Sequence, residues 1–310
     1  MVAAVLGVLL IATVIIEVLG KTGKVGPEQL SELRKRTLSW WILAPLMIGP
    51  VLLGAATSIA AITVMSLFAY REYARATGLF RDLLVGAIAV IGIIAINLAA
   101  LDNWYRLFAA LFPIVVVLLA AAPILQDTPK GYIQRVALGV LGFSFFGVCF
   151  GHLSFFTNDT HFRPVLVFLL ITVELNDVFA YCSGKLFGKR KLAPNTSPKK
   201  TIGGALGALV LTTTLSAFLA HAVFHGTPVD QPLRLLFIGL IVSIGGQFGD
   251  LVMSSIKRDI GIKDLGALIP GHGGILDRFD SLILVAPAVF HVVRLFNGVD
   301  PAQTIRIFTH

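Results

Sequence analysis

Four side chains near residue 250 could do chemistry together. Asp250, Ser254, Lys257 and Arg258 fall at i, i+4, i+7 and i+8, so a helix carries an acid, a hydroxyl and two cations on one stripe. Glu174 and Asp177 are three residues apart in Thr172-Val173-Glu174-Leu175-Asn176-Asp177 and share a second helix face. Both groups interrupt strongly apolar runs. A carboxylate there costs a few kcal/mol or more and by default marks a functional site. Such a stripe must face a protein cavity, not lipid. The competing reading is that these charges pair internally and only stabilise the bundle. For Glu17, which has no visible partner in the sequence, that structural reading is preferred.

The elements that hold these residues follow from composition. The 310 residues are 56% hydrophobic and 14% charged, with a mean hydropathy of +0.86. A soluble domain carries about 25% charged residues. The excess apolar side chains therefore require lipid as their solvent, and the expected fold is all-α, a polytopic bundle of transmembrane helices. Ten spans are expected, near 2–19, 39–54, 56–72, 82–101, 105–124, 134–156, 164–184, 202–224, 233–256 and 279–297. The 39–72 region reads either as two spans or as one bent segment. Met1 to Gly20 lacks a basic leader and a cleavage site, so it is expected as an uncleaved first span. Cys149 and Cys182 sit in apolar runs and are expected to pack, not to pair.

Charge sets the orientation. If the loop 185–200 is cytoplasmic, alternation places 20 of the 25 Lys and Arg on that side, as the positive-inside rule requires. Arg106, Arg163, Arg234, Arg294 and Arg306 remain opposite. The net charge of +8 does not point to nucleic acid, because the cations lie in short loops between spans. Anionic phospholipid headgroups or nucleotide phosphates suit them better. The chain divides into N-terminal spans (1–160), a C-terminal region with cytoplasmic loops 185–200 and 257–278 (161–300), and a short tail (301–310).

Two motif blocks specify the chemistry. The first runs Ser254-Ser255-Ile256-Lys257-Arg258, Lys263-Asp264, then His272-Gly273-Gly274-Ile275-Leu276-Asp277-Arg278-Phe279-Asp280. The second runs from Asp177 through Gly184-Lys185 to Ser197-Pro198-Lys199-Lys200-Thr201. Together they resemble the phosphatidate cytidylyltransferases over about residues 170–297. The Glu174-x-Asn176-Asp177 version is similar to a divergent bacterial branch. One departure stands out: Gly203 occupies the position of the family's acid in S-P-G-K-T-x-E-G, and Lys199 that of its first glycine.

The resemblance implies a membrane enzyme that condenses CTP with phosphatidate, giving CDP-diacylglycerol and pyrophosphate in phospholipid biosynthesis. The phosphate monoester has a second pKa near about 6 and is already largely ionised at neutral pH. No general base is required, and the task is to bring two polyanions together. Mg²⁺, with room for a second cation, is the expected cofactor, held by Asp250 and Asp277. Asp280 is either a further ligand or a helix N-terminal charge, and Glu174 is a weaker metal candidate. Lys257, Arg258, Lys200 and Lys199 are expected on phosphates, with His272 hydrogen-bonding phosphate or loop. Backbone N–H groups of Gly271, Gly273 and Gly274 could cradle a phosphate. Asp177 is expected at the substrate. Ser197 and Thr201 read equally as nucleotide contacts or as turn and cap residues.

The expected setting is the inner or plasma membrane, with the site facing the cytoplasm, phospholipids around it, and a homodimer as the assembly. Within enzymes the alternative is cytidylyl transfer to a different lipid phosphate. A secondary transporter is the alternative from another class, but it predicts mid-membrane charges and repeat symmetry, whereas these charges gather at one edge. The D-G-x-x-A-R pattern of CDP-alcohol phosphotransferases is absent.

Overall fold

The computed structural model describes residues 2–22, 26–159, 161–266 and 274–297. Its helices are α1 (Val2–Lys21), α2 (Pro27–Leu53), α3 (Ala55–Thr77), α4 (Leu83–Leu101), α5 (Tyr105–Leu125), α6 (Tyr132–Gly142), α7 (Phe150–Phe156), α8 (Phe162–Phe187), α9 (Ile202–Val223), α10 (Pro232–Asp259), α11 (Leu276–Phe279) and α12 (Leu282–Asn297). A π-helical segment, Phe143–Cys149, joins α6 to α7. Two short strands, β1 (Lys191–Ala193) and β2 (Ser197–Thr201), pair antiparallel between α8 and α9.

The all-α expectation holds apart from this hairpin. Among the described residues seven helices are long and apolar enough to cross a bilayer, which makes the chain a multi-pass membrane protein. The ten-span count is not established. The expected spans at 56–72 and 279–297 are α3, which carries Arg71, Glu72 and Arg75 in its last turns, and α12, which has 16 residues. The 39–72 region forms two helices that meet at Gly54. Its φ of 149° lies where a side chain is strained, and Thr57 and Ser58 hydroxyls donate back to the Pro50 and Gly54 carbonyls. Glu17 does have a partner: Arg34 forks onto both of its oxygens, at 2.9 and 2.7 Å, and ties α1 to α2.

Helices α8, α9 and α10 pack closely because small residues line their contacts. A Cβ at Gly239 would sit 2.6 Å from the Thr213 carbonyl, and one at Gly204 would sit 2.6 Å from that of Ala180. In a bilayer such close approach replaces the hydrophobic drive between helices. A buried polar knot fixes the register. Asn176 Oδ1 accepts from Thr212 Oγ1 (2.9 Å) and Ser243 Oγ (3.1 Å), and its Nδ2 donates to the Ser243 carbonyl (3.3 Å). One residue from α8 thereby holds both neighbours. The next residue, Asp177, points about 100° away around the helix and is exposed.

The N-terminal helices pack on this trio through a continuous core. Tyr73, Phe143, Phe146 and Phe150 are fully buried in it together with Phe168 and Phe290. Asn176→Leu strands two buried hydroxyls. With three hydrogen bonds lost, we expect a destabilisation of about 2 kcal/mol, read as a lower thermal midpoint in detergent while Thr214→Val, on an exposed face, leaves the midpoint unchanged.

Candidate active site

The stripe on α10 is formed, but its members turn to different partners. Asp250 Oδ1 accepts from Ser254 Oγ at 3.1 Å, and its Oδ2 meets Lys200 Nζ at 2.5 Å. Lys257 turns inward. Its Nζ donates to Asp277 Oδ1 at 2.8 Å, with side-chain exposures of 11% and 6%. The other Asp277 oxygen accepts the Leu265 N–H (3.1 Å) and the Gly274 N–H (3.0 Å). One carboxylate thus joins α10 to both ends of the 267–273 stretch. Arg258, expected on phosphate, donates to the Thr196 carbonyl (3.3 Å) and the Ile262 carbonyl (3.1 Å), stapling the hairpin to the end of α10.

Gly274 also differs from expectation. Its N–H is committed to Asp277 rather than free for a phosphate. Glycine is needed there for a different reason, because a Cβ would lie 2.5 Å from Glu72 Oε2. Thr201 acts as a cap: its Oγ1 accepts from the Gly204 N–H at 3.1 Å and starts α9. Ser197 is half-buried in register with Ala193, and Lys199 is exposed on the hairpin. Gly271, His272 and Gly273 lie outside the described residues.

Sequence reasoning missed Glu72. This acid on α3 is 5% exposed. Its two oxygens accept the Ile275 N–H (3.1 Å) and the Leu276 N–H (2.9 Å) at the start of α11. A buried carboxylate that accepts two backbone N–H groups is strongly held. Glu72 therefore docks the segment bearing Asp277, Arg278 and Asp280 on the N-terminal helices. The available signal was its spacing: Glu72 follows the buried Ala69 by three residues and precedes the buried Tyr73, which puts an acid on an inward face.

The remaining acids are less well answered. Asp280 is 5% exposed, and among the described residues its hydrogen-bond donor is the Ser281 hydroxyl at 3.4 Å. Asp250, Lys257, Asp177 and Asp277 all act on it electrostatically. Arg278 acts in the same way on Glu174 and Asp177. Five acids (Glu174, Asp177, Asp250, Asp277, Asp280) thus share three cations (Lys200, Lys257, Arg278), and that deficit suits a divalent cation. No three of these acids bring ligand atoms within 4.8 Å of one another among the described residues. In this geometry a single ion would therefore take at most two of these carboxylates and complete its shell with other ligands.

Gly203 sits where α8 and α9 touch. A Cβ there would lie 2.5 Å from the Phe187 carbonyl oxygen and 3.2 Å from Gly188 Cα. Main chain fills the space an acidic side chain would need.

Two outcomes follow. Glu72→Gln turns one oxygen into an NH₂ facing a backbone N–H, so we expect transfer activity at least tenfold lower with the helices intact. The check is faster hydrogen exchange at the Ile275 and Leu276 amides. Gly203→Glu forces α8 from α9, so it lowers the thermal midpoint and brings no gain in activity; an increase in turnover would contradict this packing.

Comparison with known proteins bears on this geometry. The model of the Cytidylyltransferase family matches residues 34–296. The chain is 37% identical over 198 residues to the uncharacterised protein YnbB of Escherichia coli K12, covering 62% of this chain and 65% of that protein. It is 33% identical over 228 residues to a phosphatidate cytidylyltransferase of Bacillus subtilis 168, covering 69% and 81%. A phosphatidate cytidylyltransferase of Staphylococcus aureus COL is 30% identical over 257 residues, covering 82% and 96%.

Proposed function

We infer the activity of this chain from its family: the chain belongs to the cytidylyltransferase family. The reaction joins CTP to phosphatidate, giving CDP-diacylglycerol and pyrophosphate. The observation that carries this reading is the convergence of two Lys–Asp pairs, Lys200–Asp250 and Lys257–Asp277, beside the buried Asp280. Cations and acids from three chain segments (β2, α10 and residues 277–280) meet there, which suits the handling of phosphates and does not suit an apolar cargo.

A phosphatidate oxygen attacks the α-phosphorus of CTP, and the bond to the β-phosphate oxygen breaks, releasing pyrophosphate. The attacking group is already ionised at neutral pH, so no side chain has to remove a proton. Lys200, beside the exposed Asp177, and the exposed Lys199 are the chain's own cations for the incoming phosphates. Lys257 stays on Asp277 and keeps the loop seated. Asp250 and Asp277 would hold a Mg²⁺ ion together with the substrate phosphates, since each carboxylate oxygen has a further lone pair beside its present contact. When bound, the ion offsets charge on the triphosphate as it approaches a second anion. The two motif loops face the cytoplasm, where CTP is available, and the acyl chains of the substrate stay in the bilayer.

Purified protein incubated with labelled CTP, phosphatidate and Mg²⁺ is expected to carry label into the organic phase. Failure of folded protein to label phosphatidate or any other lipid phosphate would overturn the enzyme reading, and labelling of another lipid phosphate alone would move the substrate. Asp250→Asn and Asp277→Asn are each expected to lower the rate at least 100-fold, about 2.7 kcal/mol. A near-normal rate in either variant would remove that residue from the site.

A further inference from the structure

At the other end of α9 lies a cluster that the cytidylyl chemistry leaves unused. α9 has 22 residues and is therefore about 33 Å long, with the hairpin at its start and His221 in its last turn. His221 Nδ1 lies 2.6 Å from Asp230 Oδ1, and His225 Nδ1 lies 3.2 Å from Asp230 Oδ2. Their imidazoles cross at 80° with centroids 5.4 Å apart. Among the described residues this is the one group of three His, Cys, Asp or Glu side chains whose ligand atoms all lie within 4.8 Å.

We propose that His221, His225 and Asp230 form a second metal site, for a divalent ion of the zinc type, on the face of the protein opposite the acid cluster. The donor set selects the ion. Two imidazoles and one carboxylate suit Zn²⁺, whereas Mg²⁺ and Ca²⁺ favour oxygen alone. The helix end places the ligands: His221 is in the last turn of α9, His225 follows just past its Phe224 C-cap, and the chain then reverses to return Asp230. Gly226, with φ +78°, makes the reversal possible. The Thr227 N–H on the Phe224 carbonyl (3.0 Å) and the Asp230 N–H on the Thr227 carbonyl (3.0 Å) hold it, and the fully buried Val229 anchors it.

The site also has the right charge and access. The C-terminal end of α9 carries unpaired carbonyl dipoles that favour a cation. The side chains are 59%, 76% and 13% exposed for His221, His225 and Asp230. An ion can reach them from water and keep a water in its fourth position. Binding would tie the end of α9 to the start of α10.

The test uses full-length protein in detergent, purified on a tag without histidine, stripped with chelator, and titrated with zinc chloride by calorimetry. Millimolar Mg²⁺ is present throughout to occupy the acid cluster. Wild type is expected to take up one equivalent of Zn²⁺ saturably, and His225→Ala to bind at least tenfold more weakly. Asp230→Asn supplies a second arm that keeps the turn's size. X-ray absorption of the loaded wild type is expected to show two imidazoles. Identical titrations in wild type and both variants, displacement of zinc by Mg²⁺, or no saturable uptake would each overturn the site and leave an imidazole–carboxylate cap on α9.

Discussion

A carboxylate sunk among packed helices must be answered by a cation, an N–H or an ion, and this requirement organises the C-terminal half of the molecule. Asp277 meets it completely: Lys257 donates to one oxygen, and the Leu265 and Gly274 N–H groups donate to the other. Breaking such a buried pair from one side costs about 3–5 kcal/mol, because the survivor is left uncompensated. Leu265 and Gly274, on either side of residues 267–273, are therefore held to one carboxylate. Glu72 repeats the device from α3. Two acids from opposite halves of the chain clasp one short segment, and Asp280 is carried on that segment into the bundle.

What brings the partners within reach is the absence of side chains. Gly204 and Gly239 let α8, α9 and α10 approach to backbone contact, and Gly249 does the same toward Asp280 and Ser281. Asn176 then fixes the sliding register with three hydrogen bonds. With Asn176 pointing inward, Asp177 has to point out toward Lys200, so the polar knot and the direction of this acid are set by one helical step. The hairpin needs the same closeness. Thr201 caps α9 while Gly184 of α8 and Gly188, just past its end, lie against its hydroxyl, and Lys200, one residue earlier, is delivered to Asp250.

Much of this was legible in the residues themselves. The spacing of Asp250, Ser254, Lys257 and Arg258 announced one helix face, and the apolar runs announced the bundle. Partner choice was not legible, because helical periodicity fixes direction but not which neighbour stands there. Lys257 chose Asp277, 20 residues on, while Asp250 took Lys200 from the hairpin and Arg258 took two carbonyls. The hairpin was read as a loop because strands of three and five residues carry too few alternations to register. Glu72 was hidden by Arg71 and Arg75, which made the end of α3 look like a solvated loop. Gly203 read as a lost acid, yet the Phe187 carbonyl already occupies the place its side chain would need.

The central claim is that Lys257 and Asp277 act as one unit that seats the loop for catalysis. A double-mutant cycle on cytidylyl transfer tests it directly, using Lys257→Met, Asp277→Asn and the double variant, each checked for folding. If the pair is a unit, the double variant loses no more activity than the worse single variant, because the second change removes nothing that the first had left working. Losses that multiply would show two independent roles and contradict the account.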